Sequence, residues 1–86
     1  MDPVKVSLFA SKIAELRNHF VFSVTSWIRS PERNADVGGL PTSKHLTGLG
    51  IDIVPEDPHQ KNDLFALIKT LGLHFLDEGD HIHIQD

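Results

Sequence analysis

The segment from Ser43 to Asp52, SKHLTGLGID, constrains the fold more than any other stretch of this 86-residue chain. It sets a histidine and a carboxylate seven residues apart, with two glycines between them. Glycine has no Cβ, so the backbone can turn tightly and pack closely at Gly48 and Gly50. The carboxylate then enters an apolar run, where Ile51 and Ile53 point to the opposite face from Asp52. We therefore expect a strand with one face toward the core and the other toward a cleft.

Two more imidazoles, His81 and His83, follow near the C-terminus at strand spacing. Zinc takes imidazole and carboxylate ligands in tetrahedral geometry, and a catalytic zinc keeps three protein ligands and one open position. His45, Asp52 and His83 would supply such a set. The chain has no cysteine, which excludes a thiolate site and disulfides. The spacing thus predicts a split zinc site.

These residues resemble a known family. The pattern Ser-x-His-x-x-Gly-x-Gly-x-Asp of Ser43–Asp52, followed by His-x-His, is similar to that of the M15 zinc peptidases, which cleave peptidoglycan stem peptides. The run from Ser26 to Gly39 resembles the same family's Ser-Gly-Tyr-Arg-Ser-Pro segment. Three motifs in the family's order span roughly residues 20 to 86. The resemblance implies the fold that DD-peptidases share with the hedgehog signalling domain.

The resemblance also implies two residues for proton transfer. Asp80 lies three positions before His83, where the family has the carboxylate that takes a proton from the attacking water and delivers it to the leaving amine. In a regular strand Asp80 would point away from the metal, so we expect a twisted or bulged strand start. His81 shares a face with His83 and is the auxiliary group for proton transfer or oxyanion stabilisation. The alternative for His81 is that it only orients a ligand.

Two further residues are assigned to substrate binding. Arg29 stands where the family's arginine contacts substrate or steadies the developing oxyanion, a role that suits a permanently charged planar guanidinium. A surface ion pair of Arg29 with Glu32 or Asp36 is the alternative. Ser43 is expected to hydrogen-bond the substrate or the metal-binding loop.

The chain departs from the family in ways that bear on the cleft. Trp27-Ile28 replaces the family's Gly-Tyr, which is expected to reshape the pocket wall. Gly50 stands where alanine is common, which is expected to be a mild change. So short a chain is expected to leave the cleft exposed, which suits a cross-linked polymer better than a free dipeptide.

Hydrophobic periodicity predicts an α+β fold, a small antiparallel β-sheet with helices packed on one face. Helices are expected over residues 7–19, from Pro31 to about Gly38, and from Pro58 to Leu71. The first would be capped by Ser7 or Ser11 and the third by Asp57, with Gln60 reaching back as in a capping box and Gly72 just past its end. Strands are expected over residues 20–27 and 50–54 and in a C-terminal hairpin of residues 73–76 and 81–84. A loop through Pro41 leads into the metal segment.

Composition narrows the function classes. With 86 residues and no internal repeat, residues 1–86 are expected to form a single domain. The net charge of −4 and the absence of a basic stripe argue against nucleic-acid binding. The stretch from Met1 to Phe20 carries too many charges for a secretory signal, and no membrane span is expected.

The leading hypothesis is a zinc-dependent peptidase that hydrolyses peptidoglycan stem peptides or cross-links, as a D,D-carboxypeptidase or an endopeptidase. The resemblance further implies a phage enzyme of the endolysin type or a virion component with tail proteins as partners. Such a protein would be found in the host cytoplasm before release, or in the virion, and would act on the cell wall. The competing hypothesis is a non-catalytic structural or binding module of the same fold, against which stand the retained Asp80, Arg29 and His81. A purely structural zinc domain is a third reading, weaker because such sites have four protein ligands and often cysteines.

Overall fold

The computed structural model describes residues 2–40 and 42–86 and confirms the α+β fold. The position of Pro41, in the predicted loop before the metal segment, lies outside the described residues. One antiparallel sheet has the strand order β1-β2-β4-β3, with bounds Phe22–Ser26 (β1), Gly50–Pro55 (β2), His74–Asp77 (β3) and Ile82–Gln85 (β4). The helices are Pro3–His19 (α1), Pro31–Asp36 (α2) and Lys61–Thr70 (α3), with 3₁₀ helices at Lys44–Thr47 and Pro58–Gln60.

The two central strands divide their side chains between the faces of the sheet. The isoleucines of β2 and β4 are fully buried and form one apolar cluster with α1 and α3; its members are Phe9, Ile13, Leu16, Phe22, Leu49, Ile51, Ile53, Leu64, Ile68, Leu73, Ile82 and Ile84. Asp52 and His83 alternate with these isoleucines and are paired across β2 and β4. Because side chains alternate along a strand, both point away from the core helices. The core and the predicted ligands therefore occupy opposite faces.

Helix α1 begins at Pro3 rather than at residue 7. The carboxylate of Asp2 accepts hydrogen bonds from the backbone N–H groups of Val4 and Lys5 at 3.0 and 3.2 Å, and Pro3 takes the first helical position. The predicted cap at Ser7 or Ser11 is wrong, because the Ser11 hydroxyl donates to the Ser7 carbonyl inside the helix. An Asp-Pro pair at the start of the chain outcompetes the serines as the helix signal.

The other two predicted helices differ less. Ser30 caps α2, accepting from the Arg33 N–H at 3.1 Å. Asp57 also caps as predicted, accepting from the His59 N–H at 2.9 Å, but the turn that follows is a 3₁₀ helix and α3 begins only at Lys61. The predicted capping box is wrong, because Gln60 makes no side-chain capping bond. Gly72 has φ of 76°, as a left-handed residue past the helix end requires.

The C-terminal hairpin is confirmed with each strand shifted by one residue toward the C-terminus. Gly79 turns the chain with φ of 89°, and β4 begins at Ile82. Asp80 and His81 therefore precede the strand, and strict alternation does not govern their side chains. Of the described helices, none combines the length and apolar character that crossing a membrane requires.

Candidate metal centre

His45 is held in place by the 3₁₀ helix that carries it and by Trp27. The Ser43 hydroxyl accepts from the His45 backbone N–H at 3.2 Å, and the helix ends at Gly48, whose φ is 74°. The Trp27 indole donates to the Gly48 carbonyl at 2.9 Å, and the Trp27 carbonyl accepts from His45 Nδ1 at 2.7 Å. The His45 residue is only 2% exposed. Its ring orientation is thus fixed by contacts from a separate part of the chain.

The three predicted ligands lie together on the sheet face opposite the core helices. Asp52 Oδ1 lies 2.9 Å from His83 Nδ1 and 3.1 Å from His45 Nε2. One ligand atom from each residue lies within 4.8 Å of the other two. The structure therefore brings together the His-Asp-His set that the sequence predicted.

The hydrogen bonds of His45 show what this cluster lacks. A neutral imidazole has a single N–H, and His45 uses it at Nδ1 because a carbonyl oxygen only accepts. Nε2 then points a lone pair at Asp52 Oδ1, which is also an acceptor, across 3.1 Å. A cation between two facing acceptors turns this repulsion into attraction. Two imidazole nitrogens and a carboxylate oxygen are a donor set that fits zinc.

Arg29 fixes the other oxygen of Asp52. Its Nη2 lies 3.5 Å from Asp52 Oδ2, and its Nη1 donates to Asn34 Oδ1 at 3.1 Å. Its carboxylate partner is therefore Asp52, rather than Glu32 or Asp36 as the alternative had it. Because the guanidinium engages Oδ2, Oδ1 remains directed at the two histidines.

Asn34 in turn braces Arg29. It is 4% exposed, and its amide donates to the Leu40 carbonyl at 2.9 Å. A Cβ at Gly39 would lie 2.1 Å from Asn34 Oδ1 and 3.0 Å from Arg29 Nη1, so only glycine leaves room for this contact. Contacts from Gly39 and Leu40, in the loop after α2, thus hold Asn34 against Arg29.

The cluster lies in an open cleft of about 550 Å³. All the predicted site residues except Asp80 line it, namely Arg29, Ser43, His45, Asp52, His81 and His83. The sequence did not assign several others that do, namely Val37, Gly38, Gly39, Leu40, Thr42, Lys44, Glu78 and Gln85. Among these residues, only Gln85 could have been placed in the cleft from the sequence. It follows His83 by two positions and therefore shares its face of β4.

Asp80 stands behind His81 instead of facing the cleft. Its side chain is 88% exposed, borders a smaller pocket of about 160 Å³, and accepts a 2.6 Å hydrogen bond from His81 Nδ1. This bond lowers the pKa of the Asp80 carboxyl and raises the pKa of the His81 imidazole. His81 lines both pockets, and its Nε2 lies 3.6 Å from Glu78 Oε2. Of the two residues assigned to proton transfer, His81 is the one in the cleft.

The structure bears on both departures from the family. Within the described residues, neither Trp27 nor Ile28 lines the cleft, and Trp27 supports the metal-binding segment instead. Gly50 is not a mild replacement for alanine, because a Cβ there would lie 2.8 Å from Lys44 Cβ and 3.2 Å from His83 Cε1.

A His-Asp-His cluster in an open cleft of a small α+β domain is the arrangement of a mononuclear metalloenzyme. The family model for Peptidase M15 matches residues 2–85, and the chain belongs to that family. No curated protein and no solved structure matches the chain. The family and the cluster together identify a metallopeptidase in which His45, Asp52 and His83 could hold the metal.

Proposed function

We propose that this protein is a zinc peptidase that hydrolyses peptide bonds in peptidoglycan stem peptides or their cross-links. The observation that carries the proposal is the convergence of two imidazole nitrogens and one carboxylate oxygen in the cleft. Zinc is the metal that this three-ligand set favours. When bound, zinc supplies Lewis acidity toward a substrate carbonyl. The openness of the cleft is compatible with a long polymeric substrate.

In this proposal His81 and Asp80 carry proton transfer as a pair. The Asp80 carboxylate accepts the Nδ1–H of His81, which leaves His81 Nε2 as the nitrogen available to reacting groups. An imidazole in this position can exchange a proton with the attacking water and with the leaving amine. Asp80 acts as the carboxylate of the pair, and its exposed side chain is also free to turn toward the cleft.

Arg29 and Ser43 are proposed to bind substrate in addition to their structural contacts. Both line the cleft, and the Arg29 guanidinium offers a planar positive group to a carboxylate or an oxyanion. The Ser43 hydroxyl accepts from the His45 N–H and keeps its own proton to donate. Lys44 adds a second cation to the same cleft wall.

The test is incubation of the zinc-loaded protein with defined muropeptides, followed by mass spectrometry of the products. Loss of a terminal D-Ala identifies a D,D-carboxypeptidase, and cleavage between L-Ala and D-Glu or within a cross-bridge identifies an endopeptidase. His45→Ala is the control that lacks a metal ligand and should cleave nothing. If the wild type holds one zinc per chain and cleaves no muropeptide, the proposal fails in favour of a non-catalytic module.

The proposed site of action is the bacterial cell wall, for a phage lysis enzyme or a virion component. A suspension of purified cell walls should lose turbidity when the zinc-loaded protein is added and should keep it when His45→Ala is added. Unchanged turbidity together with cleavage of small muropeptides would restrict the substrate to released fragments.

A further inference from the structure

His83 and His45 turn different nitrogens toward the cluster. His45 presents Nε2, because its Nδ1 donates to the Trp27 carbonyl at 2.7 Å. His83 presents Nδ1, which lies 2.9 Å from Asp52 Oδ1, while its Nε2 lies 2.9 Å from Gln85 Oε1. Each histidine therefore has an acceptor on the side away from the cluster, a backbone carbonyl for one and a side-chain amide for the other.

We propose that Gln85 is a positioning residue that selects Nδ1 of His83 as the metal-binding nitrogen. An amide oxygen can only accept, so a hydrogen bond from Nε2 to Gln85 places the single proton of a neutral imidazole on Nε2, and Asp52 Oδ1 then faces the lone pair of Nδ1. Nδ1 then keeps its lone pair, which points into the cluster. Partners on the far side of a ligating histidine fix its tautomer and ring orientation in this way. The inference rests on one part of the proposed function, namely that a metal binds to His45, Asp52 and His83. It does not depend on the substrate.

The sheet gives Gln85 a fixed place from which to act. It lies on β4 with its backbone paired to Gly50 of β2 on one side and to His74 of β3 on the other. It lies two positions after His83, so both side chains emerge on the same face. An amide on a central strand moves less than one on a loop, which suits a residue that must hold a ring in one orientation.

Gly50 completes the arrangement from the neighbouring strand. A Cβ there would lie 3.2 Å from His83 Cε1, the ring carbon between the two nitrogens. Without that Cβ, the ring edge approaches the β2 backbone and directs Nδ1 toward Asp52 and Nε2 toward Gln85. The ring is thus located by a close backbone approach and oriented by the amide.

Gln85→Met tests the inference, because it removes the acceptor oxygen at nearly constant length. Zinc affinity, measured by competition with a chromophoric chelator, should fall by about 10- to 100-fold, the usual effect of losing such a partner. Gln60→Met is the matched control at the chain's other glutamine, which is exposed and makes no side-chain capping bond, and its affinity should not change. Gln85→Glu keeps an acceptor oxygen and should retain most of the affinity.

A spectroscopic measurement separates orientation from a merely structural effect. In ¹⁵N NMR spectra of the zinc-free protein at alkaline pH, His83 should be the Nε2–H tautomer in the wild type and in Gln85→Glu, and a mixture in Gln85→Met. Gln85→Met that retains both wild-type zinc affinity and the Nε2–H tautomer would overturn the inference. If Gln85→Met shows both predicted changes and the wild type cleaves no muropeptide, the inference stands while the proposed function fails. If the wild type binds no zinc, the proposed function fails. The role of Gln85 is then decided by the His83 tautomer alone: loss of the Nε2–H form in Gln85→Met supports the inference, and its retention overturns it.

Discussion

Asp80 and His81 share one hydrogen bond and the smaller pocket, but only His81 also lines the main cleft, so substitutions can separate their roles. Asp80→Asn keeps the side chain's size and removes the carboxylate. Zinc content and fold should survive, and turnover of muropeptides should fall by roughly 10²-fold or more, the scale of acid–base catalysis. Elemental analysis and steady-state kinetics on the same sample measure both quantities. Asp63→Asn, at an exposed carboxylate on α3, is the control and should match the wild type.

His81→Ala should retain zinc and lose activity, because His81 lines the cleft without being one of the three clustered ligands. If Asp80→Asn turns over as fast as the wild type while His81→Ala does not, proton transfer belongs to His81 alone. If both variants remain fully active, Glu78 becomes the candidate, since it lines the cleft and its carboxylate lies 3.6 Å from His81 Nε2.

Gly50→Ala tests how tightly the metal segment packs on β2. The new Cβ would meet Lys44 Cβ at 2.8 Å and His83 Cε1 at 3.2 Å, so one of these must move. Overpacking of this kind costs about 1–3 kcal/mol of unfolding free energy. Urea denaturation of the zinc-free protein measures this cost, and chelator competition should show weaker zinc binding. A loss below about 0.5 kcal/mol, the range of ordinary surface substitutions, would mean that the 3₁₀ helix shifts freely.

At the scale of elements, the Lys44–Thr47 3₁₀ helix depends on Trp27. Trp27→Phe keeps an aromatic ring against Phe9, whose ring centroid lies 6.5 Å away, and removes the indole donor to the Gly48 carbonyl. We expect a loss of about 1–3 kcal/mol, the cost of leaving a buried polar group without its partner. Zinc affinity should fall with it, because the helix carries His45. Unchanged unfolding free energy in urea would show that water replaces the indole at no cost.

The sequence predicted those features that are local or tied to a motif. The cluster of His45, Asp52 and His83 followed from their spacing, and the hairpin followed from period-two alternation around Gly79. The contacts of Arg29 with Asp52 and Asn34 could not be predicted, because they depend on how the loop after α2 folds onto the sheet. Nor could the position of Asp80, since the strand begins after it and alternation therefore says nothing about its direction.

At the scale of the whole molecule, the metal is expected to contribute a large share of the stability. A small domain has a small core, and a ligand that binds only the folded state stabilises it by mass action. At a free zinc concentration of 100 times Kd the gain is about 2.7 kcal/mol, and each kcal/mol raises Tm by roughly 4–8 °C in a domain of this size. Differential scanning calorimetry with zinc and with a chelator measures the shift.

His83→Ala is the matched variant for this measurement. It removes one of the three proposed ligands, so the zinc-dependent rise in Tm should disappear and elemental analysis should find well below one zinc per chain. The same rise in His83→Ala as in the wild type would place the stabilising zinc somewhere other than this cluster.

The alternation of isoleucines with ligands along β2 and β4 has a consequence for folding fidelity. A slip of one residue between neighbouring strands exchanges the two faces of the slipped strand. A slipped β4 would turn His83 toward the core and bring Ile82 and Ile84 to the cleft. Isoleucine side chains have no atom that can bind a metal. On the proposed function, zinc retention therefore reports strand register: in a refolded sample, the bound zinc per chain should count the molecules in which the two central strands have paired correctly.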